Sequence, residues 1–264
     1  MEEWAQKALT FDDGATARSV SPIAVRCLVA ILFGVTVVAA LIATATGVAA
    51  TTDPYPRGQT GYDDSYPQCG AATPLGTFGI VGANGGRPFS YNACLSVEYA
   101  AAPKTIAPSL YINTAYSGAY RKNISSTCAN LSASIAGTSA QRQAWAIGCS
   151  EAETSVNYSV QQGVDAVAMW WLDIETGTSW SSSNLSLNQY AIQGATSRLL
   201  QTGLPVGVYS SASMWSIITG GGFTPAGISA DWEASGGSCN SPFTNSPVWL
   251  LQSTSSGFDS DFAC

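Results

Sequence analysis

The chain has 264 residues, of which 46% are hydrophobic and only 10% charged; its net charge is −7 and it contains no histidine. That length suits one large α/β barrel or two modest domains, and the composition is too apolar and too weakly charged for disorder. An acidic chain without a basic run argues against nucleic acid as a partner, and the missing histidine excludes histidine triads and the commonest metal ligand.

Taken in chain order, residues 28–50 form a charge-free apolar run after Arg26, long enough to span a bilayer. Val48, Ala49 and Ala50 offer the small side chains that a signal peptidase reads. Residues 1–50 are therefore expected to be a cleaved signal peptide or an uncleaved membrane anchor. Glu2, Glu3, Asp12 and Asp13 fit a standard signal n-region poorly, so both readings stay open. Residues 51–60 read as a Pro/Gly/polar linker, and residues 61–264 as one domain.

Strands are expected over 77–81, 109–113, 166–174, 206–209, 228–232 and 248–252, each rich in β-branched, aromatic or aliphatic residues. Helices are expected over 139–149, 152–162, 184–202 and 213–219. In the third of these, Leu185, Leu187, Tyr190, Ile192, Ala195, Leu199 and Leu200 supply a buried stripe, which Gly203-Leu204-Pro205 terminates. Strands alternating with helices predict a parallel sheet, here a (β/α) TIM-like barrel, complete or incomplete. A doubly wound open sheet is the alternative, though no Gly-rich phosphate loop follows the first strand.

Cys27 borders the apolar run, leaving Cys69, Cys94, Cys128, Cys149, Cys239 and Cys264. Six cysteines predict three disulfides in an oxidising compartment, paired as sequence neighbours: 69 with 94, 128 with 149, 239 with 264. Without a C-x-x-C pair or histidine, no zinc site is expected.

The acids are few, so their placement is informative. In residues 166–174 nearly every side chain is apolar, as in a strand buried on both faces. Strand alternation puts Trp171, Asp173 and Glu175 on one face and Trp170, Leu172 and Ile174 on the other. Asp173 and Glu175 thus fall side by side at the C-terminal end of a parallel strand, where α/β folds build active sites. Such a pair suits glycosidic-bond cleavage: one carboxyl with a raised pKa protonates the leaving oxygen, and the other stabilises the oxocarbenium-like centre. Two other roles fit the pair as well, a purely structural one bonded to backbone amides or an arginine and a divalent-metal site. Asp231 and Glu233 repeat the D-x-E spacing and read as a rim or loop pair. Glu151 and Glu153 read as first-turn charges of the 152–162 helix. Ser210 has no histidine to activate it.

The motif order resembles the family-25 glycoside hydrolases, the Chalaropsis-type lysozymes. The carrying segments are Gly61-Tyr62-Asp63-Asp64-Ser65, Asp173-Ile174-Glu175, Gly207-Val208-Tyr209-Ser210, and Trp249-Leu250-Leu251-Gln252 followed by Asp259. The resemblance spans residues 61–264 and implies an incomplete α/β barrel that cleaves peptidoglycan. It implies Glu175 as general acid and Asp173 as its assistant at the reacting centre, with Asp63 and Asp259 completing an acidic cleft. Tyr209, Trp171, Trp249 and Asp231 are the further substrate-binding candidates. The expected protein is an exported monomer, secreted or anchored at the outer membrane face, that hydrolyses a peptidoglycan-type or other N-acetylated glycan. It needs no cofactor and touches membrane only through its N-terminal segment. The alternative is an inactive glycan-binding module on the same barrel.

Overall fold

The computed structural model describes residues 52–72, 74–164, 166–234, 237–255 and 258–264. The expected signal or anchor at 1–50 lies outside the described residues; among those described, no helix is long and apolar enough to cross a membrane.

Eight strands close into one barrel in sequence order. They are β1 (Thr60–Asp64), β2 (Gly79–Gly82), β3 (Ser109–Asn113), β4 (Trp170–Asp173), β5 (Val206–Ser210), β6 (Ala230–Ala234), β7 (Val248–Ser255) and β8 (Phe258–Ala263). Strands β1 to β7 run parallel, while β8 pairs antiparallel with both β7 and β1. Closure rules out the doubly wound alternative, and the antiparallel β8 completes the barrel without a final crossover helix. The helices are α1 (Leu95–Ala101), α2 (Ser126–Ser132), α3 (Ser139–Gln161), α4 (Leu185–Leu200) and α5 (Ala212–Thr219).

Side-chain alternation sorts the core into two layers. Ile80, Met169, Trp171, Ala230, Trp232 and Leu250 fill the barrel interior. Leu110, Trp170, Leu172, Ile174, Val206 and Val208 face outward onto Ile192, Ala195 and Leu199 of α4 and Trp215 of α5. Gly207 is what admits Trp171 to the interior, since a Cβ there would lie 2.1 Å from the indole ring. Helices α3 and α4 meet through reciprocal glycines: a Cβ on Gly148 would sit 1.9 Å from the Ala191 carbonyl oxygen, and one on Gly194 2.0 Å from that of Trp145.

Three expectations need correction. The segment over 51–60 is no linker in its described part. Tyr55 is buried at the barrel's interior core, its hydroxyl 2.6 Å from Ser109 Oγ and accepting from Trp171 Nε1 at 2.8 Å. Thr60 already belongs to β1. The two helices expected over 139–149 and 152–162 are one 23-residue helix, α3, begun by a Thr138–Gln141 capping box. Finally, β1 and β8 were not among the expected strands, because their acids interrupt the apolar pattern.

The six cysteines form Cys69–Cys94, Cys128–Cys149 and Cys239–Cys264, with Cα separations of 5.5–5.7 Å. The last joins the chain end, just past β8, to the β6–β7 connection.

Candidate active site

Several of the parallel strands change from apolar to polar where they reach the C-terminal mouth of the barrel. β3 ends in Asn113, β4 in Asp173 followed by Glu175, and β7 carries Gln252; β8, entering antiparallel from that mouth, brings Asp259. These five line a cleft of about 190 Å³ together with Asp63, Tyr111, Tyr209 and Trp232. Strand parity explains the selection, since these side chains point inward like the core residues below them.

Hydrogen bonds tie the cleft walls together. Tyr209 donates its hydroxyl to Gln252 Oε1 at 2.7 Å, and Gln252 Nε2 donates to Asp63 Oδ2 at 2.9 Å. Asn113 Nδ2 donates to Asp173 Oδ2, and Asp173 Oδ1 has no hydrogen-bond partner. Trp232 forms part of the lining and donates through Nε1 to Asp261 Oδ1 at 2.9 Å, beneath the cleft. Glu175 is held from behind: Thr178 Oγ1 and Trp180 Nε1 both donate to its main-chain carbonyl, at 2.9 and 2.8 Å.

No lysine or arginine lines the cleft, so no counter-cation offsets burial there, and Asp63, Asp173 and Glu175 are shifted toward their protonated forms. Burial, then the charges of Glu175 and Asp63, push Asp173 well above the ordinary aspartate range. Burial raises Asp63 to about 7; Asp259, its direct cross-strand partner, pushes in the same direction, and the Gln252 hydrogen bond opposes. Glu175, half-buried at the open side, is raised by burial and by the Asp259 charge. Asp261, fully buried, is pushed well up by burial and then by Asp63. This is a proton-holding carboxyl cluster on a rigid frame, with one member, Glu175, facing the open cleft. Among the described residues no group of three or more His, Cys, Asp or Glu is arranged to hold a metal ion.

The structure brings Glu175, Asp173, Asp63, Asp259 and Tyr209 together. It does not bring Trp171, Trp249 or Asp231 to the cleft, and their assignment as substrate contacts is corrected. Trp171 shares the inward face of Asp173 but sits one inward position lower, below Trp232, with ring centroids 5.6 Å apart. Trp249 packs in the barrel's interior core. Asp231 lies between inward Ala230 and Trp232, so it points outward, where its carboxylate accepts from the Phe243 and Thr244 amides at 2.7 and 2.9 Å. Sequence reasoning missed Asn113, Tyr111 and Asp261 as site residues, and had Gln252 only as the end of the motif Trp249-Leu250-Leu251-Gln252. The available signal was a polar residue closing an apolar strand, as at Asn113 and Gln252.

Glu151 is a second correction. It lies in mid-α3 rather than in a first turn, fully buried, with neither carboxylate oxygen meeting a hydrogen-bond partner. Burial and then the Asp173 charge raise it well above the ordinary glutamate range, opposed by the nearby Ala115 amide, which lies short of a hydrogen bond. Glu153, one residue pair along, is partnered by Arg198 at 3.6 Å.

The family model described as "Lysozyme-like protein 1" matches residues 105–258. The chain belongs to the lysozyme-like protein 1 family. The order of its motifs resembles that of the Chalaropsis-type lysozymes. No curated protein matches the sequence. Among solved structures, the muramidase from Trichobolus zukalii shares the fold at a TM-score of 0.50, with 16% identity over 78% of this chain and 93% of that one. A lysozyme from Streptomyces coelicolor aligns at a TM-score of 0.46, with 17% identity over 79% of this chain and 93% of that one. A family GH25 lysozyme from Aspergillus fumigatus aligns at 0.48, with 11% identity over 78% and 94% of the two chains.

Proposed function

We propose that this lysozyme-like domain is an exported glycoside hydrolase that cleaves a peptidoglycan-type, N-acetylated glycan. The observation that carries the proposal is the convergence of Asp63, Asp173, Glu175 and Asp259 in one cation-free cleft at the barrel mouth. Glu175 is the member that combines a raised pKa with access to the open cleft, which fits a general acid giving its proton to the leaving glycosidic oxygen. Asp173, deeper and fixed by Asn113, is suited to hold a polar substituent of the reacting sugar, such as its N-acetyl group. Asp63 and Asp259 shape the opposite wall, and Tyr209 and Gln252 fix that wall in place.

Three disulfides and the apolar run at 28–50 support export. Residues 1–50 serve as signal or anchor in this reading, and the functional unit is the monomeric barrel. The test is reducing-sugar release from purified peptidoglycan by the wild type and by Glu175→Gln. Release that disappears in the variant supports the reading. Binding without release by a folded wild type favours the inactive glycan-binding module.

A further inference from the structure

Two buried acids, Asp64 and Glu98, take no part in the cleft. Asp64 follows the inward Asp63 on β1, so alternation turns it outward, toward the helical layer. Its strand partner is Val81 of β2. Glu98 of α1 is brought to the neighbouring strand end by Asn92, whose Nδ2 donates to the Gly82 carbonyl oxygen at 2.7 Å and to Glu98 Oε2 at 2.6 Å. The Cys69–Cys94 disulfide ties the segment after Asp64 to the start of α1. The two acids therefore sit on elements that are fastened together.

Asp64 is 4% exposed and Glu98 6%. Asp64 Oδ1 and Glu98 Oε1 are both buried without a hydrogen-bond partner, and among the described residues neither carboxyl meets a lysine or arginine. Burial, then the Glu98 charge, raises Asp64 to about 7. Burial also raises Glu98, against the Asn92 bond. The two acids are near enough to repel, yet no hydrogen bond, and so no shared proton, joins them. A cation fits between two unsatisfied oxygens that a proton does not bridge. Oxygen donors without nitrogen or sulfur select a hard cation. Calcium, at about 2.3–2.6 Å from each ligand, spans a wider gap and tolerates a less regular shell than magnesium.

We infer that Asp64 and Glu98 form a calcium-binding site that fastens α1 to the mouth end of β1, one residue from Asp63. With two protein carboxylates, water supplies most of the shell. That places the affinity among the weak sites of extracellular modules, at a Kd of about 0.1–1 mM. The site stands independently of the glycan-cleaving reading.

The test is calorimetry with calcium chloride on purified wild type stripped of divalent ions, at about pH 7.5, above the Asp64 value. One calcium should bind per chain and raise the melting temperature. Asp64→Asn and Glu98→Gln keep the shape and remove a charge; each should weaken binding at least tenfold. Both should melt in calcium-free buffer at or above the wild type, which shows that they fold. Glu175→Gln, which removes a charge from the cleft instead, should bind calcium as the wild type does. Absence of calcium binding by the wild type overturns the site. Binding that survives in both Asp64→Asn and Glu98→Gln, or that Glu175→Gln abolishes, overturns it as well, the last by placing the ion in the cleft.

Discussion

Gln252 Nε2 donates to Asp63 Oδ2 at 2.9 Å, joining two strands that lie 189 residues apart in the chain. Tyr209 completes the relay by donating to the other end of the same amide, so that Gln252 can present only its N–H₂ to Asp63. One glutamine thereby holds the first acid of the cleft against the wall opposite Glu175. Replacing Gln252 with leucine should remove the larger of the two hydrogen bonds that lower the Asp63 pKa, the other being with Asp261, and leave that carboxyl nearer to permanent protonation. Hydrogen bonds to charged groups are worth about 1.5–3 kcal/mol. The expected result is at least a tenfold loss of glycan cleavage, counted as new reducing ends.

The buried acids give stability a definite pH dependence. Asp63 rises from 3.8 to about 7 on folding, and Asp173 and Asp261 are also pushed well above the ordinary aspartate range. A carboxyl whose folded pKa lies above its unfolded value favours folding fully below the unfolded value, and that contribution is lost as pH rises through the folded one. The barrel should therefore melt highest at or below about pH 4 and lose stability as pH climbs from there through about 7. A melting temperature that rises between pH 5 and 8 would contradict the protonated cluster.

Glu151 offers a separable probe of the same effect. It is fully buried without a hydrogen-bond partner, so ionising it in place is costly. Glu151→Gln keeps the shape and removes the ionisation. Its melting temperature should match the wild type at pH 4 and exceed it at pH 8; equal curves at both pH values would mean that Glu151 carries no such burden.

The Cys239–Cys264 disulfide ties down the strand that delivers Asp259 and Asp261. Changing both cysteines to serine should lower stability by about 2–4 kcal/mol. It should also reduce cleavage more than the equivalent pair of changes at Cys128 and Cys149, which join α2 to α3 away from the cleft. Denaturant melts and glycan cleavage for the two double variants make the comparison.

Packing at the helix pair α3–α4 allows almost no added volume. Gly148→Ala would drive a methyl group against the Ala191 carbonyl oxygen, and overpacking of this kind costs about 1–3 kcal/mol or more. Thermal melts should show Gly148→Ala well below wild type, whereas Gly177→Ala, with nothing within 4 Å of its Cβ, should be close to neutral.

How much of this was legible in the sequence depends on what each strand is made of. β4 was readable because its apolar run ends abruptly in Asp173, and alternation then placed Glu175 beside it on the inward face. The same rule placed Trp171 on that face too, but not its depth: Trp232 and Tyr55 enclose it inside the barrel. β1 and β8 were unreadable as strands because TGYDD and FDSDFA devote their inward positions to the acids of the site. Only the family motifs pointed to Asp63 and Asp259. Asn113 escaped notice and Gln252 entered only through its motif because neither titrates, although each fixes a carboxylate that does. Tyr55 looked like part of a linker because Pro54, Pro56 and Gly58 surround it, yet burial of a single ring docks the segment.

Glycan cleavage by this site turns on the proton that Glu175 is proposed to deliver. Peptide-free glycan strands incubated with wild type and with Glu175→Gln, the two proteins matched in melting temperature, should differ in new reducing ends counted by mass spectrometry. The predicted result is cleavage by the wild type and a loss of about a hundredfold or more in the variant, the usual scale of a general acid. Equal cleavage by the two proteins would contradict the assignment of Glu175 as the acid.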